Sequence, residues 1–178
     1  MKNLTELTRL VKEYLRENLS TRRYEHCLRV AEVAFNLAKS SKRTRKLRKK
    51  AYFAGLVHDI CKELSDEEQF STAARDLGEI TERERQFPHL LHARSGAVFL
   101  QEKFHIDDED IIEAVRTHIF GFPSKREKNP LWMIVFVADK IEPARKEKEA
   151  RIFRRRATKI PIESLTYQVR DWWQERCS

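Results

Sequence analysis

"AGLVHDICKEL", residues 54–64, sets a histidine beside an aspartate in the middle of an apolar segment. Ala54, Gly55, Leu56 and Val57 lead into His58 and Asp59, and Ile60 follows them. Burying a titratable pair is costly unless other groups compensate it. The rest of the chain must therefore supply partners for these two side chains.

Composition narrows the field. At 178 residues the chain suits a single domain with a real core, and residues 1–178 are read as one unit. No apolar run approaches the roughly 20 residues that a membrane-spanning helix needs. The opening "MKNLTELTRLVKEYL" carries charge every few residues and lacks the apolar core of a signal peptide, so a cytoplasmic protein is expected. Cys27, Cys61 and Cys177 are too scattered for a disulfide framework and read as reduced thiols. Glycine is scarce, while Leu, Ala, Glu, Lys and Arg abound, the composition of a helical protein.

The net charge of +8 implies affinity for some polyanion. Part of the excess sits in "KSSKRTRKLRKK", residues 39–50, with eight basic residues and no acidic one, and part in "RIFRRRATK", residues 151–159. These runs fit a nucleic-acid or ribosome-associated surface, or a solvated helix end and linker. No aromatic residue interleaves with the first run to stack on bases, so the solvated reading is preferred there.

Apolar spacing predicts helices almost throughout. Leu4, Leu7, Leu10, Val11 and Leu15 mark a helix over 4–18. Cys27, Val30, Ala31, Ala34, Leu37 and Ala38 form the core face of another over about 21–40. A third covers roughly 46–61; Ser65 with Glu68 opens one over about 66–77, and Thr81 with Glu84 a short one. Helices over 89–104, from a cap at Asp107, and from near Asn129 to Pro143 follow. A basic linker from about 146 then leads to a C-terminal amphipathic helix that turns Ile162, Leu165, Val169, Trp172 and Trp173 inward. The expected fold is one all-α domain.

Polar residues interrupt these apolar faces. His26 lies beside the core stripe of its helix. His58 has Ala51 and Ala54 two turns and one turn before it. His118 follows Ile111, Ala114 and Val115, and Asp139 follows Trp132, Val135 and Phe136 at the same offsets. His92 precedes Ser95, Gly96 and Phe99. A lone histidine on such a face is ordinarily a core residue bonded to a carbonyl. Five such positions on five segments, all turned to one interior, are what a metal centre in a helix bundle requires. Imidazole with carboxylate suits iron, manganese, zinc or nickel rather than magnesium or calcium, and no cysteine set exists for a tetrathiolate zinc site.

The segments "RYEHCLRVAE", "HDICKEL", "LLHARSGA", "RTHIFGFP" and "ADKIEPAR" occur in the order and at roughly the spacing of the HD-superfamily metal-dependent phosphohydrolases. Within them the chain resembles the YqeK-like group of symmetrical bis(5'-nucleosyl)-tetraphosphatases, over about residues 20–145. The resemblance implies an HD-domain helical bundle with two metal ions, iron being the first expectation. His26, His58, Asp59 and Asp139 would hold one ion, and Asp59 would bridge to a second held also by His92 and His118. A hydroxide shared by the ions would attack diadenosine tetraphosphate and release two ADP. Hydrolysis of another nucleotide is the same-class alternative. His89 is a rival to His92, and His105 reads as a surface residue. Lys62 and Arg145 match positions near substrate phosphates, Lys62 as a point charge and Arg145 as a bidentate clamp. Glu63 and Glu142 are weaker candidates, and Gly121 is expected in a turn beside the pocket. The partner implied is a nucleotide, with no membrane; nucleic acid could engage only residues 39–50, and a homodimer is compatible with this reading.

Overall fold

A computed structural model describes residues 3–41, 44–120 and 130–177, and among them there are helices and no strand. In chain order the helices are α1 (Leu4–Asn18), α2 (Thr21–Ser40), α3 (Arg45–Val57), α4 (Asp66–Ala73), α5 (Glu82–Gln86), α6 (His92–Phe104), α7 (Glu109–Thr117), α8 (Leu131–Ile141), α9 (Lys148–Arg156) and α10 (Ile162–Cys177). A single 3-10 turn, Pro88–Leu90, precedes α6.

Helix α8 is the hub. It packs on α2, α3, α7, α9 and α10. Of its eleven residues only Trp132 escapes full burial, as expected of a helix that is apolar all round. Two polar side chains, Asp139 and Lys140, are carried into the interior with it. Helices α2 and α3 form the most extensive pair, and a glycine permits it. A Cβ at Gly55 would lie 3.1 Å from the Ala31 Cα, the Ala34 Cβ and the Val30 carbonyl. The small stripe of α2 thus lets α3 approach closely, which brings His26 towards His58.

Several ends follow from local chemistry. Ser65–Glu68 and Thr81–Glu84 form complete capping boxes at α4 and α5. Ser20 caps α2 while its own N–H and hydroxyl donate to Glu63 at 2.6 Å, which ties the turn after α3 to the start of α2. Three expectations are corrected. Helix α3 ends at Val57, not near 61, and His58 to Glu63 form turns. The cap of α7 is Asp108 rather than Asp107, and its carboxylate accepts from Lys50 instead of a helix N–H. The segment read as a basic linker contains α9, whose Arg154 donates to the carbonyls of Ile141, Glu142 and Arg145. Arg154 therefore satisfies the C-terminal end of α8. Of the basic run 39–50, Lys42 and Arg43 lie outside the described residues, as does Gly121, while Lys50 pairs with Asp108 and Asp110.

Asp76, in the loop after α4, accepts from Arg94 of α6 at 3.3 Å and from Arg116 of α7 at 2.8 Å. Its side chain is only 1% exposed. Arg94 also donates to the carbonyls of Leu77, Gly78 and Glu79 and so organises the loop that leads to α5. Removing Asp76 would take from buried Arg94 and half-buried Arg116 the carboxylate they share, leaving each with one glutamate, Glu84 and Glu113. Asp76→Ala should lower the unfolding free energy by about 3 kcal/mol in urea titrations, against less than about 1 kcal/mol for Glu102→Ala, which breaks the exposed Arg75–Glu102 pair.

Candidate metal centre

Six side chains from five segments meet where the helices converge. Helix α2 supplies His26 from its interior, and α8 supplies Asp139. His58 and Asp59 come from the turn after α3, His92 is the first residue of α6, and His118 is the residue after α7. The turn matters. In a continuous helix, consecutive residues point about 100° apart, whereas here His58 and Asp59 face the same centre.

Asp59 is divided between two groups. Its Oδ2 lies 3.4 Å from His58 Nε2 and 3.6 Å from His26 Nε2, while its Oδ1 lies 3.1 Å from His92 Nε2 and 3.6 Å from His118 Nε2. Asp139 Oδ1 joins the first group, 3.2 Å from His26 Nε2 and 3.8 Å from His58 Nε2. His26, His58 and Asp59 have ligand atoms within 4.8 Å of one another, and so do Asp59, His92 and His118.

The donor chemistry fits a pair of cations. The Nδ1 atoms of His58, His92 and His118 donate to the carbonyls of Gly55, His89 and Val115, in each case three residues earlier. His26 Nδ1 lies 3.3 Å from the Glu142 carboxylate. With the protons on Nδ1, every Nε2 presents a lone pair to the centre. Yet His26 and His58 bring these nitrogens within 3.2 Å, and His92 and His118 within 3.1 Å. Two facing lone pairs repel unless a proton or a metal lies between them, and metal-ligating histidines characteristically lock the other nitrogen in this way. His26, His58, Asp59 and Asp139 could thus hold one ion, and Asp59, His92 and His118 a second.

Electrostatics agree. Burial alone would raise the Asp59 carboxyl, but the imidazoles of His58, His118 and His92 around it hold it well below the usual range. Asp139 is likewise opposed by burial and held low by Lys140, His26, His58 and Arg145. Burial pushes His118 down to about 3 and also lowers His92, so both stay neutral ligands at physiological pH. At His26 burial is outweighed by the Asp139 and Glu142 carboxylates on either side of the ring, and its value is raised. Glu142 is held at about 2 despite burial, by His26, the Ala144 N–H and Arg29.

Cationic side chains surround the centre. Arg23 donates to Asp59 Oδ2 at 2.6 Å and Arg145 to Asp139 Oδ1 at 2.9 Å. Lys62 Nζ lies 3.2 Å from His92 Nδ1, and burial lowers its pKa. The buried Lys140 reaches Asp139 and the His118 carbonyl. Two clefts meet here. One, of about 680 Å³, exposes Asp59, His92, His118 and Asp139 to Lys62, Arg83 and Trp173. The other, of about 640 Å³, lies beyond His26 and is lined by Arg22, Arg29 and Lys146. Arg23 and Arg145 line both.

All six sequence-proposed ligands, with Lys62 and Arg145, are therefore brought together. His89 is exposed and contributes its carbonyl, not its ring, to His92. His105 is an exposed left-handed residue that ends α6, with φ 53°. Arg23, Glu142, Lys140 and Trp173 were undervalued. Arg23 and Glu142 stand one helical turn from His26 and Asp139, a spacing that could have shown them. Lys140 was signalled by its place in an apolar helix. Trp172 and Trp173 do not both turn into the core: Trp172 packs on Phe153, while Trp173 lines the larger cleft.

The comparisons with known proteins bear on this geometry. A family model described as HD domain matches residues 23–144. The chain is 34% identical, over 145 residues, to "Bis(5'-nucleosyl)-tetraphosphatase, symmetrical" of Halalkalibacterium halodurans, covering 80% of this chain and 71% of that one. It is 35% identical over 137 residues to "Probable nicotinate-nucleotide adenylyltransferase/Ap4A hydrolase" of Mycoplasma genitalium, covering 76% of this chain but spanning only 36% of that longer protein. A crystal structure from Clostridium acetobutylicum, described as a "predicted HD superfamily hydrolase involved in NAD metabolism", superposes with a TM-score of 0.78 at 26% identity and covers 99% of both chains.

Two variants test the centre. Asp59→Ala should remove both ions, seen as loss of bound metal by elemental analysis after loading and desalting. Glu142→Gln should keep the fold yet weaken metal affinity by about 10- to 100-fold in a chelator competition, since it takes a charged acceptor from His26 Nδ1.

Proposed function

We propose that this chain, which belongs to the HD-domain family, hydrolyses dinucleoside polyphosphates and cuts diadenosine tetraphosphate at the middle of its bridge to give two ADP. Family membership carries divalent-metal dependence, and a nucleotide substrate fits the basic surroundings of the centre. The observation that carries the reading is the meeting of two clefts of similar size, about 680 and 640 Å³, at an imidazole–carboxylate centre flanked by arginines. A bridge cut at its midpoint, with a nucleoside half on either side, suits that arrangement. The names of the Halalkalibacterium and Mycoplasma relatives point the same way.

His26, His58, Asp59 and Asp139 would hold one ion and Asp59, His92 and His118 the other. When bound, such a pair would supply Lewis acidity and acidify a bound water. The preferred metal is iron, on the strength of the four imidazoles, with manganese, zinc and nickel as alternatives. The chain's own residues do the rest. The bridge carries about four negative charges, and Lys62, Arg23 and Arg145 stand where its phosphates would lie. Arginine can grip two oxygens of one phosphate, and Lys62 offers a mobile point charge. The departing diphosphate is a weak base, so neutralising charge matters more than donating a proton to it. Within this reading the chain is one HD domain that acts in the cytoplasm; no helix among the described residues is long and apolar enough to cross a membrane.

Incubating metal-loaded protein with diadenosine tetraphosphate and chromatographing the products is the direct test. Two ADP per substrate is expected; AMP with ATP would overturn symmetrical cleavage. Lys62→Ala should retain both ions by elemental analysis while kcat/KM falls at least about tenfold, as expected when a charge-assisted phosphate contact is lost.

A further inference from the structure

The two clefts that meet at the centre are similar in size but not in chemistry. The larger is walled by rings. Trp173, at the end of α10, faces into it, with Lys140 Nζ 4.8 Å and Arg145 5.9 Å from the ring centroid. Phe120 stands in the same cleft with 43% of its surface exposed, and Arg83 lies 5.6 Å over its ring. An exposed phenylalanine and a half-buried tryptophan flanked by cations, beside a phosphate-seeking centre, make a stacking surface for a nucleobase. The smaller cleft has no aromatic lining other than the His26 ring among the described residues. Its remaining lining is Arg22, Arg29, Lys146, Ala144 and two glutamates, besides the shared Arg23 and Arg145. Arg29 is itself engaged by Glu142 at 2.7 Å. That cleft can hold phosphate charge but offers no ring on which a base can stack.

We propose that a symmetrical substrate is recognised asymmetrically. One purine stacks against Trp173 and Phe120, and the other half is held through its phosphates alone. This rests on the hydrolase reading above and extends its substrate class. A nucleoside 5'-tetraphosphate, with one base and a bare terminal phosphate, becomes a substrate as well. Water adds to one of the two central phosphorus atoms, the anhydride bond between them breaks, and the products are a nucleoside diphosphate and pyrophosphate with release of protons. The base enters the aromatic cleft and the bare phosphates occupy the basic one.

The test compares three substrates on metal-loaded protein: diadenosine tetraphosphate, adenosine 5'-tetraphosphate and inorganic tetraphosphate. Adenosine tetraphosphate should be cut to ADP and pyrophosphate with kcat/KM within about tenfold of the dinucleotide, and inorganic tetraphosphate at least about tenfold more poorly than either, the stacking loss of one base. Trp173→Ala should raise KM for both nucleotides about tenfold relative to inorganic tetraphosphate, and Trp173→Phe should restore most of the difference. Phe120→Ala provides an independent second variant. Adenosine tetraphosphate falling more than tenfold below the dinucleotide would mean that both bases are held. An equal loss on all three substrates in Trp173→Ala would mean that the tryptophan only supports the fold. Either result overturns the proposal. Should the wild type turn over none of them, the hydrolase reading itself fails. Calorimetric titration with ADP and with pyrophosphate then decides the stacking: selective loss of ADP affinity in Trp173→Ala supports it, and no selective loss overturns it.

Discussion

The site depends on one carboxylate facing two ways. Asp59 Oδ2 serves His26 and His58, and Oδ1 serves His92 and His118. No rotation about the side chain could favour one group without withdrawing from the other. The backbone must therefore hold Asp59 rigidly. It does so through a turn that closes just as α3 ends, with Ile60 N–H on the Val57 carbonyl and Lys62 N–H on that of Asp59. Glu63, in the same turn, is fastened to Ser20, the cap of α2. The close α2–α3 contact at Gly55 and the stacking of α7 against α3 then bring the remaining histidines to a fixed point.

Around that carboxylate the interior contains unusual charge for a small helical protein. Buried Asp139 and Glu142 face buried Lys140 and the half-buried Arg29, Arg23 and Arg145. Unpaired, each would be costly to bury. Together they form a continuous network in which Arg145 holds Asp139 and Arg29 holds Glu142. The net positive character of the chain is thus partly concentrated at the mouth of the centre and partly consumed in structure, as with Arg154 capping α8 and Lys50 bridging to α7. The basic runs alone would have given a less accurate guide to the partner than the distribution of these charges.

Much of this was legible beforehand. The small-residue stripe of α2, the two capping boxes and the five polar positions on apolar faces are matters of periodicity and local chemistry, which sequence carries openly, whereas the proposed set of six ligands came from the resemblance to the HD superfamily. Helix ends at functional turns were not. The pattern over 45–61 stays apolar through His58, so nothing in periodicity says that α3 must stop at Val57; the need for His58 and Asp59 to face one point decides it. Helix α9 was hidden because its polar, arginine-rich sequence resembles a linker, and only Ala150 and Phe153 reach the core. The role of Trp173 was missed for a different reason. Val169 is compatible with either Trp172 or Trp173 on its face, and the choice is made by Phe153, a residue of another helix.

Three of the four imidazoles are oriented by a main-chain carbonyl three residues earlier in their own turn. A main-chain acceptor is indifferent to most substitutions, because it belongs to the backbone rather than to any neighbour's side chain. The reactive core of the protein is therefore insulated from change in the walls that surround it. Aromatic and cationic residues lining the clefts can be exchanged one at a time during divergence while the imidazoles keep their orientation. A scaffold of this kind can hand the same bond-breaking apparatus to one phosphorylated metabolite after another.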